Sequence, residues 1–279
     1  MRNIYITFLF LIFCSMAYAQ EQAKYRVTYD CDAQVVTGKT YTYRWTLDIG
    51  ETTAVFYNNN YRLYSSELAK VKTQGGDNAM IDQLPVISGK YFPKNDLQIV
   101  VGSPDKGEYI YYKQVLNSGL KYVDALPVIE WQLTDSTKTI CEYECKQAVG
   151  SVYGRIWTVW YSIELPLNYG PYILNGLPGL IMAARDSEGL FDFKAVGVEN
   201  APENALVSVY KEDSHQKCTR KRFLQLRSES EGINKDQLVD RILSQTTSGE
   251  KVIVYTVSGT DAKVDNEVEV PKYNHLDKE

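Results

Sequence analysis

Histidine is the side chain that most readily moves protons near neutral pH, and the 279-residue chain has two, His215 and His275. His215 lies in a stretch rich in Lys and Arg, and His275 lies in a polar C-terminal end. Both read as solvated side chains. Serine hydrolysis needs a serine, a base and an orienting acid, and no G-x-S-x-G elbow is present. No cysteine has a histidine in a recognisable protease signature. The pair Cys141-x-x-x-Cys145 offers two thiolates, where a structural zinc site wants four close ligands. Asp186 and Glu188 read as turn residues, and Glu142 and Glu144 as a solvated strand face. No catalytic residue, metal ligand or cofactor site is therefore assigned.

Cysteine has a second chemistry. Of the five cysteines, Cys14 falls in an N-terminal segment that reads as a signal peptide, leaving Cys31, Cys141, Cys145 and Cys218. An even number in an exported chain suggests disulfides, and burial as reduced, small apolar residues is the alternative. If Cys141 and Cys145 share one strand, four residue steps part them by roughly 13 Å, too far to bridge. Cys31 and Cys218 would then each take one of the two.

The export reading rests on three features. Met1-Arg2-Asn3 is a short positive start, Ile4 to Phe13 is almost wholly apolar, and Ala17-Tyr18-Ala19 gives a small-x-small cleavage site before Gln20. The apolar run is short for a bilayer span. No later stretch is apolar and long enough to serve as an anchor after cleavage. The net charge of −5, one unit more negative without Arg2, argues against a nucleic-acid binder, which needs a basic footprint.

The elements that must position these residues are mostly strands. Tyrosine, with 22 residues, suits a strand with one apolar and one wet face. Tyr25, Val27 and Tyr29 alternate with polar residues, as do Tyr41, Tyr43, Trp45, Leu47 and Ile49, the two runs joined across residues 32–39. Thr53 to Tyr57 continues, with Asn58-Asn59-Asn60 as a turn. Ser65 to Lys72 reads as a short helix ended by Gly75-Gly76-Asp77. Further strands are expected at 97–101, 108–113, 128–133, 137–146, 155–165, 177–185 and 190–198, with a tight turn at Asp186-Ser187-Glu188-Gly189. Ser214 to Arg227 reads as a basic helix whose Lys217, Arg220, Lys221 and Arg222 form a solvated face. Asn234 begins a better-capped one, and Lys251 to Val257 is a last strand. Arg155 opens an aromatic strand, where it can stack on a ring or pair with Glu164 or Asp186.

One stretch carries a family likeness. Gly176-Leu177-Pro178-Gly179-Leu180-Ile181 follows Tyr153-Gly154-Arg155, Trp157-Thr158-Val159-Trp160-Tyr161, Ile163-Glu164-Leu165-Pro166 and Tyr169-Gly170-Pro171-Tyr172. In this setting residues 141–200 resemble the GLPGLI family of exported Gram-negative bacterial proteins, a family known by its motif and not by a reaction. The motif reads physically as an ordered crossover between strands. As a functional alternative, Trp157, Trp160, Tyr169 and Tyr172 would line the mouth of an aromatic cavity for an apolar or sugar-like ligand.

The expected fold is mainly β: an antiparallel curved sheet or half-open barrel with C-terminal helices packed on it. Its parts are a signal peptide at 1–19, a single β-rich domain at 20–258 and a polar, mobile tail at 259–279. The expected function is a non-enzymatic, carrier-like module of the periplasm or cell exterior. It would bind an apolar or amphiphilic small ligand or an envelope protein. A carboxylate-dependent hydrolase and a structural or interaction protein of the envelope are the alternatives.

Overall fold

A computed structural model of the chain describes residues 21–36, 38–102, 107–116, 118–231 and 274–277. The expected signal peptide, the helix expected from Asn234, the strand expected at 251–257 and most of the expected tail lie outside these residues.

Alternating apolar residues build one sheet. Its strands are β1 (Tyr25–Val36), β2 (Lys39–Ile49), β3 (Thr53–Asn58), β4 (Gln98–Gly102), β5 (Glu108–Val115), β6 (Ser118–Ala125), β7 (Gln132–Ile140), β8 (Tyr143–Val152), β9 (Arg155–Ser162), β10 (Leu180–Asp186), β11 (Phe191–Asn200) and β12 (His215–Lys217). The order across the sheet is β12-β6-β5-β4-β3-β2-β1-β11-β10-β9-β8-β7. Two antiparallel meanders, β1–β6 and β7–β11, are thus joined by the β1–β11 pairing, while β12 adds to β6 in parallel. The sheet is not closed into a barrel, and the expected mainly β architecture of a curved sheet with helices holds.

The sheet curls strongly. Tyr109 of β5 and Tyr153, in the turn between β8 and β9, bring their hydroxyls within 3.1 Å, although seven strands lie between β5 and β8 in the sheet. Inside the curl, Tyr29, Trp45, Leu47, Phe56, Ile99, Trp157 and Phe193 are buried. Trp45 stacks on Phe56 with ring centroids 4.8 Å apart, and Phe193 meets Phe56 edge-on at 6.2 Å. Helix α2 (Arg220–Glu231) covers part of this face, with Phe223 packed against Tyr111 and Tyr122.

The opposite face carries a buried polar group. Asp48 of β2 is 1% exposed. It accepts two bonds from Arg26, at 2.7 and 2.9 Å, and one from the Tyr57 hydroxyl at 2.9 Å. A buried carboxylate needs such partners. Arg62 of α1 (Asn59–Lys90) lies over the Tyr57 ring at 3.3 Å and donates to Gln98.

Several elements differ from the sequence expectation. Asn58 is the cap of α1 and not a turn residue: its side chain accepts from the Tyr61 amide at 3.0 Å, as helix N-caps do. The helix outlasts residue 72, and Gly76 (φ 74°) breaks it without ending it. The 128–133 strand is displaced. Its last two residues open β7, the rest lie in the connection from β6, and Val128 is 95% exposed. The single strand expected at 137–146 is a hairpin, because Cys141 and Glu142 both take positive φ (49° and 70°) and turn the chain between Ile140 and Tyr143. Two consecutive positive-φ residues make the tight turn that matches strand twist. β9 stops at Ser162, before 163–165. The expected helix at 214–227 is divided into a 3-10 turn (Glu212–Ser214), β12 and α2. Thr219 starts α2, its hydroxyl accepting from the Arg222 amide at 3.2 Å.

The Gly-Leu-Pro-Gly-Leu-Ile stretch closes the loop between β9 and β10. Leu177, Leu180 and Ile181 are buried. Gly176 has φ 90°, and its amide donates to Asn168 at 2.6 Å. Gly179 lies against the β9 backbone: a methyl placed there would collide with the Ser162 carbonyl oxygen and sit 2.6 Å from its carbon. Beyond it, the Tyr29 hydroxyl donates to the Ile181 carbonyl at 2.8 Å, beside the register shift between Ile181 and Ala183. Because backbone cannot yield as a side chain can, Gly179→Ala should cost about 3 kcal/mol or more. Gly176→Ala, strained only by its φ, should cost about 1–2 kcal/mol. Urea unfolding of the two variants checks the order.

Candidate functional site

The described residues bound a cavity of about 380 Å³ inside the curl. β1 supplies Cys31, Ala33 and Val35, β2 supplies Tyr43 and Trp45, and β11 supplies Phe191 and Phe193. These residues share a face because they are register partners: Cys31 faces Tyr43 on one side and Phe193 on the other. Leu97, Tyr111 and Val115 extend the apolar wall. α2 and the segment Asn274–Asp277 close it with Arg227, Ser230, Glu231, His275 and Asp277. Trp45 is 3% exposed, and its indole N–H has no acceptor among the described residues. A buried donor left unpaired is costly.

The segment 274–277, expected to be part of a mobile tail, is tied down at every residue. The Asn274 amide donates to the Val35 carbonyl at 2.9 Å, and its side chain donates to the Gln34 carbonyl at 2.6 Å. The His275 carbonyl accepts from Arg155, whose Nε lies 2.9 Å away. Leu276 packs against the core. Asp277, 4% exposed, accepts from Arg227 at 3.0 Å and from Arg220 at 3.5 Å.

Arg155 does what its place in the sequence suggests. It is 3% exposed, pairs with Asp186 at 2.6 Å, reaches Glu188 at 3.3 Å and lies over the Phe191 ring at 4.9 Å. Glu164 is not its partner: it accepts from the Glu144 amide. Arg220, read as part of a solvated basic face, is instead drawn inward. Its guanidinium lies over the Tyr153 ring at 4.6 Å and near Asp124 at 3.5 Å.

His275 is likewise not a solvated residue. Burial, together with the Arg227 charge, lowers its pKa below the usual 6.5, against an opposing pull from Glu231, whose Oε1 lies 2.8 Å from Nε2. Ser230 also lines the cavity, but its hydroxyl donates to the Arg227 carbonyl within its own helix at 2.6 Å. No nucleophile–base pair of the kind serine hydrolysis requires is formed there among the described residues. His215, on β12, stands edge-on to Tyr112 with centroids 5.4 Å apart, away from the cavity.

The aromatic residues singled out from the sequence do not form the mouth. Trp157, Tyr169 and Tyr172 are buried at 0%, 9% and 1% exposure, and burial pushes the Tyr169 and Tyr172 hydroxyls up in pKa. Trp160 points to the other face of β9, under Lys138 at 3.3 Å. None of the four lines the cavity. Its walls come from β1, β2 and β11, whose alternation showed which face was apolar but not that the sheet would curl around it.

The four cysteines Cys31, Cys141, Cys145 and Cys218 are free thiols, so the expected bridges are absent among the described residues. The Cys141 thiol donates to the Ala195 carbonyl at 3.3 Å, and Cys31 and Cys145 are buried. Burial raises the pKa of all four, which makes them poor nucleophiles. The strand argument for their pairing fails because Cys141 sits in a turn.

No protein-family model matches the sequence, and no curated protein matches it. Among solved structures, two of PNGF-II resemble it. The form in space group C2 has a TM-score of 0.50 at 20% identity, and the form in P21 has 0.49 at 19%. Each match covers 76% of this chain and 34% of that one, so the chain spans about a third of PNGF-II. MucB in complex with MucA(peri) aligns at a TM-score of 0.24 and 8% identity, over 68% of this chain and 57% of that one. At 20% identity the PNGF-II likeness concerns the fold alone.

Two outcomes follow from this geometry. Removing a partner from a buried ion pair leaves the other charge stranded, at about 3–5 kcal/mol. Arg155→Gln should lose stability of that order in urea unfolding, and hydrogen exchange at residues 274–277 should accelerate. For His275, a folded-state pKa below 6.5 means that the unfolded chain binds the proton more readily. Its contribution is therefore complete above about pH 6.5 and declines as pH falls below that value. The stability advantage of the wild type over His275→Gln should shrink between about pH 7.5 and about pH 5.5.

Proposed function

We propose that the chain is an exported envelope protein of the GLPGLI family that binds a small amphiphilic ligand inside its curled sheet. The observation that carries this reading is the cavity of about 380 Å³ walled by Tyr43, Trp45, Phe191 and Phe193. That volume lies within the roughly 300–1,000 Å³ of small-ligand sites, which are mostly apolar with a few placed polar groups. Tyr43, Leu97, Phe191 and Phe193 suit an apolar body, and Lys113, Gln114 and Arg227 suit a polar end. No helix among the described residues is long and apolar enough to cross a membrane.

The hydrolase alternative would need two carboxylates free to act in the cleft. Asp277 is committed to two arginines, and Glu231 faces His275. The carrier reading therefore has the stronger support.

Native mass spectrometry of the protein taken from its own envelope without detergent tests the reading. An extra mass released on denaturation is expected, and a bare chain would count against a carried ligand.

A further inference from the structure

The segment Asn274–Asp277 presents two things to the cavity: an apolar side chain, Leu276, and a carboxylate, Asp277. We propose that these stand in for the ligand itself, and that the natural ligand is a small amphiphile bearing a carboxylate, which displaces Asp277 from Arg227 and Arg220. This inference rests on the ligand-binding reading above and names the class of ligand.

Three observations converge on it. First, Arg227 is 7% exposed and Asp277 4%, so the carboxylate-binding site lies inside the protein and not on a solvated helix face. Second, the acid is held from two positions of α2, Arg227 at 3.0 Å and Arg220 at 3.5 Å. Arg220 is also set over Tyr153 and beside Asp124, and Arg227 lines the cavity itself. A second carboxylate entering the cavity would meet the Arg227 guanidinium in its wall, and arginine is suited to bind carboxylates. Third, the wall beyond the arginines is formed by Tyr43, Trp45, Leu97, Phe191 and Phe193.

The nature of that wall separates a small amphiphile from a peptide. The carbonyls of Gln34 and Val35 at the end of β1 meet a peptide's donors at one residue, Asn274. Elsewhere in the lining the Lys113 ammonium is already engaged by Asn95 and Asp96, and the Gln114 amide group by the Tyr61 hydroxyl. A peptide continuing inward would bury amide groups without partners, whereas an alkyl or ring body would not.

Exchange of one acid for another also keeps the buried charges balanced. An uncompensated Arg227 would be costly, so the segment cannot simply leave. A ligand that brings its own carboxylate removes that obstacle, whereas a neutral ligand does not. The segment thus acts as a built-in competitor that favours acids over alcohols of the same shape.

The test uses the full-length protein with decanoate and decanol as probes, each titrated by calorimetry below its micelle concentration. Decanoate should bind more tightly than decanol to the wild type. Asp277→Asn should bind decanoate about tenfold more tightly than the wild type, because the competing state no longer holds the site, with decanol little changed. Arg227→Gln should reduce decanoate to the level of decanol. A measurement on the wild type alone guards against variants that fail to fold: hydrogen exchange at residues 274–277 should speed up with decanoate and not with decanol. If the two probes bind equally well and leave the segment equally protected, the carboxylate assignment is overturned while the cavity stands as an apolar site. If neither binds, the ligand-binding reading fails with it.

Discussion

The pairing of β1 with β11 is the joint on which the architecture depends. Each meander on its own is a ladder of local hairpins, and β1–β11 is the long-range contact that makes them one sheet. Such non-local pairing has a high closure cost before it yields any stabilisation. Here it is reinforced on the inner face. Tyr29, at the register shift in that pairing, spans β11 and donates to the Ile181 carbonyl of β10. The curl that follows brings Tyr109 to Tyr153 and creates a concave interior. Without the joint there would be two open ribbons with exposed aromatic faces and no cavity.

A single sheet of this size has one apolar face to hide and only a few helices to hide it with. Curling solves part of the problem, since aromatic residues from distant strands then bury one another, as Phe56 and Phe193 do. α2 covers another part through Phe223. Helix α1 takes little share in this: of its residues only Ser65 and Ile87 are buried. Its firm attachment is at its start, through the Asn58 cap and Arg62.

Much of this was legible in the sequence, for a simple reason. Strand faces are written in alternation, and the runs Tyr25–Tyr29 and Tyr41–Ile49 indicate both element and buried side. The role of Arg155 could also be read, because a lone arginine opening an aromatic strand must find a partner. What could not be read were features set by backbone geometry or by distant contacts. Cys141 and Glu142 adopt positive φ without the Asn or Gly that usually announces such a turn, so a hairpin looked like one strand. The cysteine pairing inferred from that strand fell with it. Trp157, Tyr169 and Tyr172 looked like a ligand mouth because aromatic residues serve equally well as core and as binding surface. Alternation specifies a face, and whether that face lines a cavity depends on how the sheet bends.

The C-terminal segment shows most clearly why local sequence was insufficient. Asn274-His275-Leu276-Asp277 has no periodicity and a polar character, which is the composition of a mobile end. Each residue nonetheless meets a partner fixed elsewhere: Val35 at the end of β1, Arg155 at the start of β9, the core for Leu276, and two arginines of α2. Arg155 matters most in this arrangement, since its single guanidinium binds both Asp186 at the end of β10 and the His275 carbonyl. It therefore couples the sheet to the segment that closes the cavity. A ligand acid that displaced Asp277 would leave the Arg155–His275 contact and the Asn274 bonds to Gln34 and Val35 in place, so the segment would stay attached to the sheet that forms the cavity.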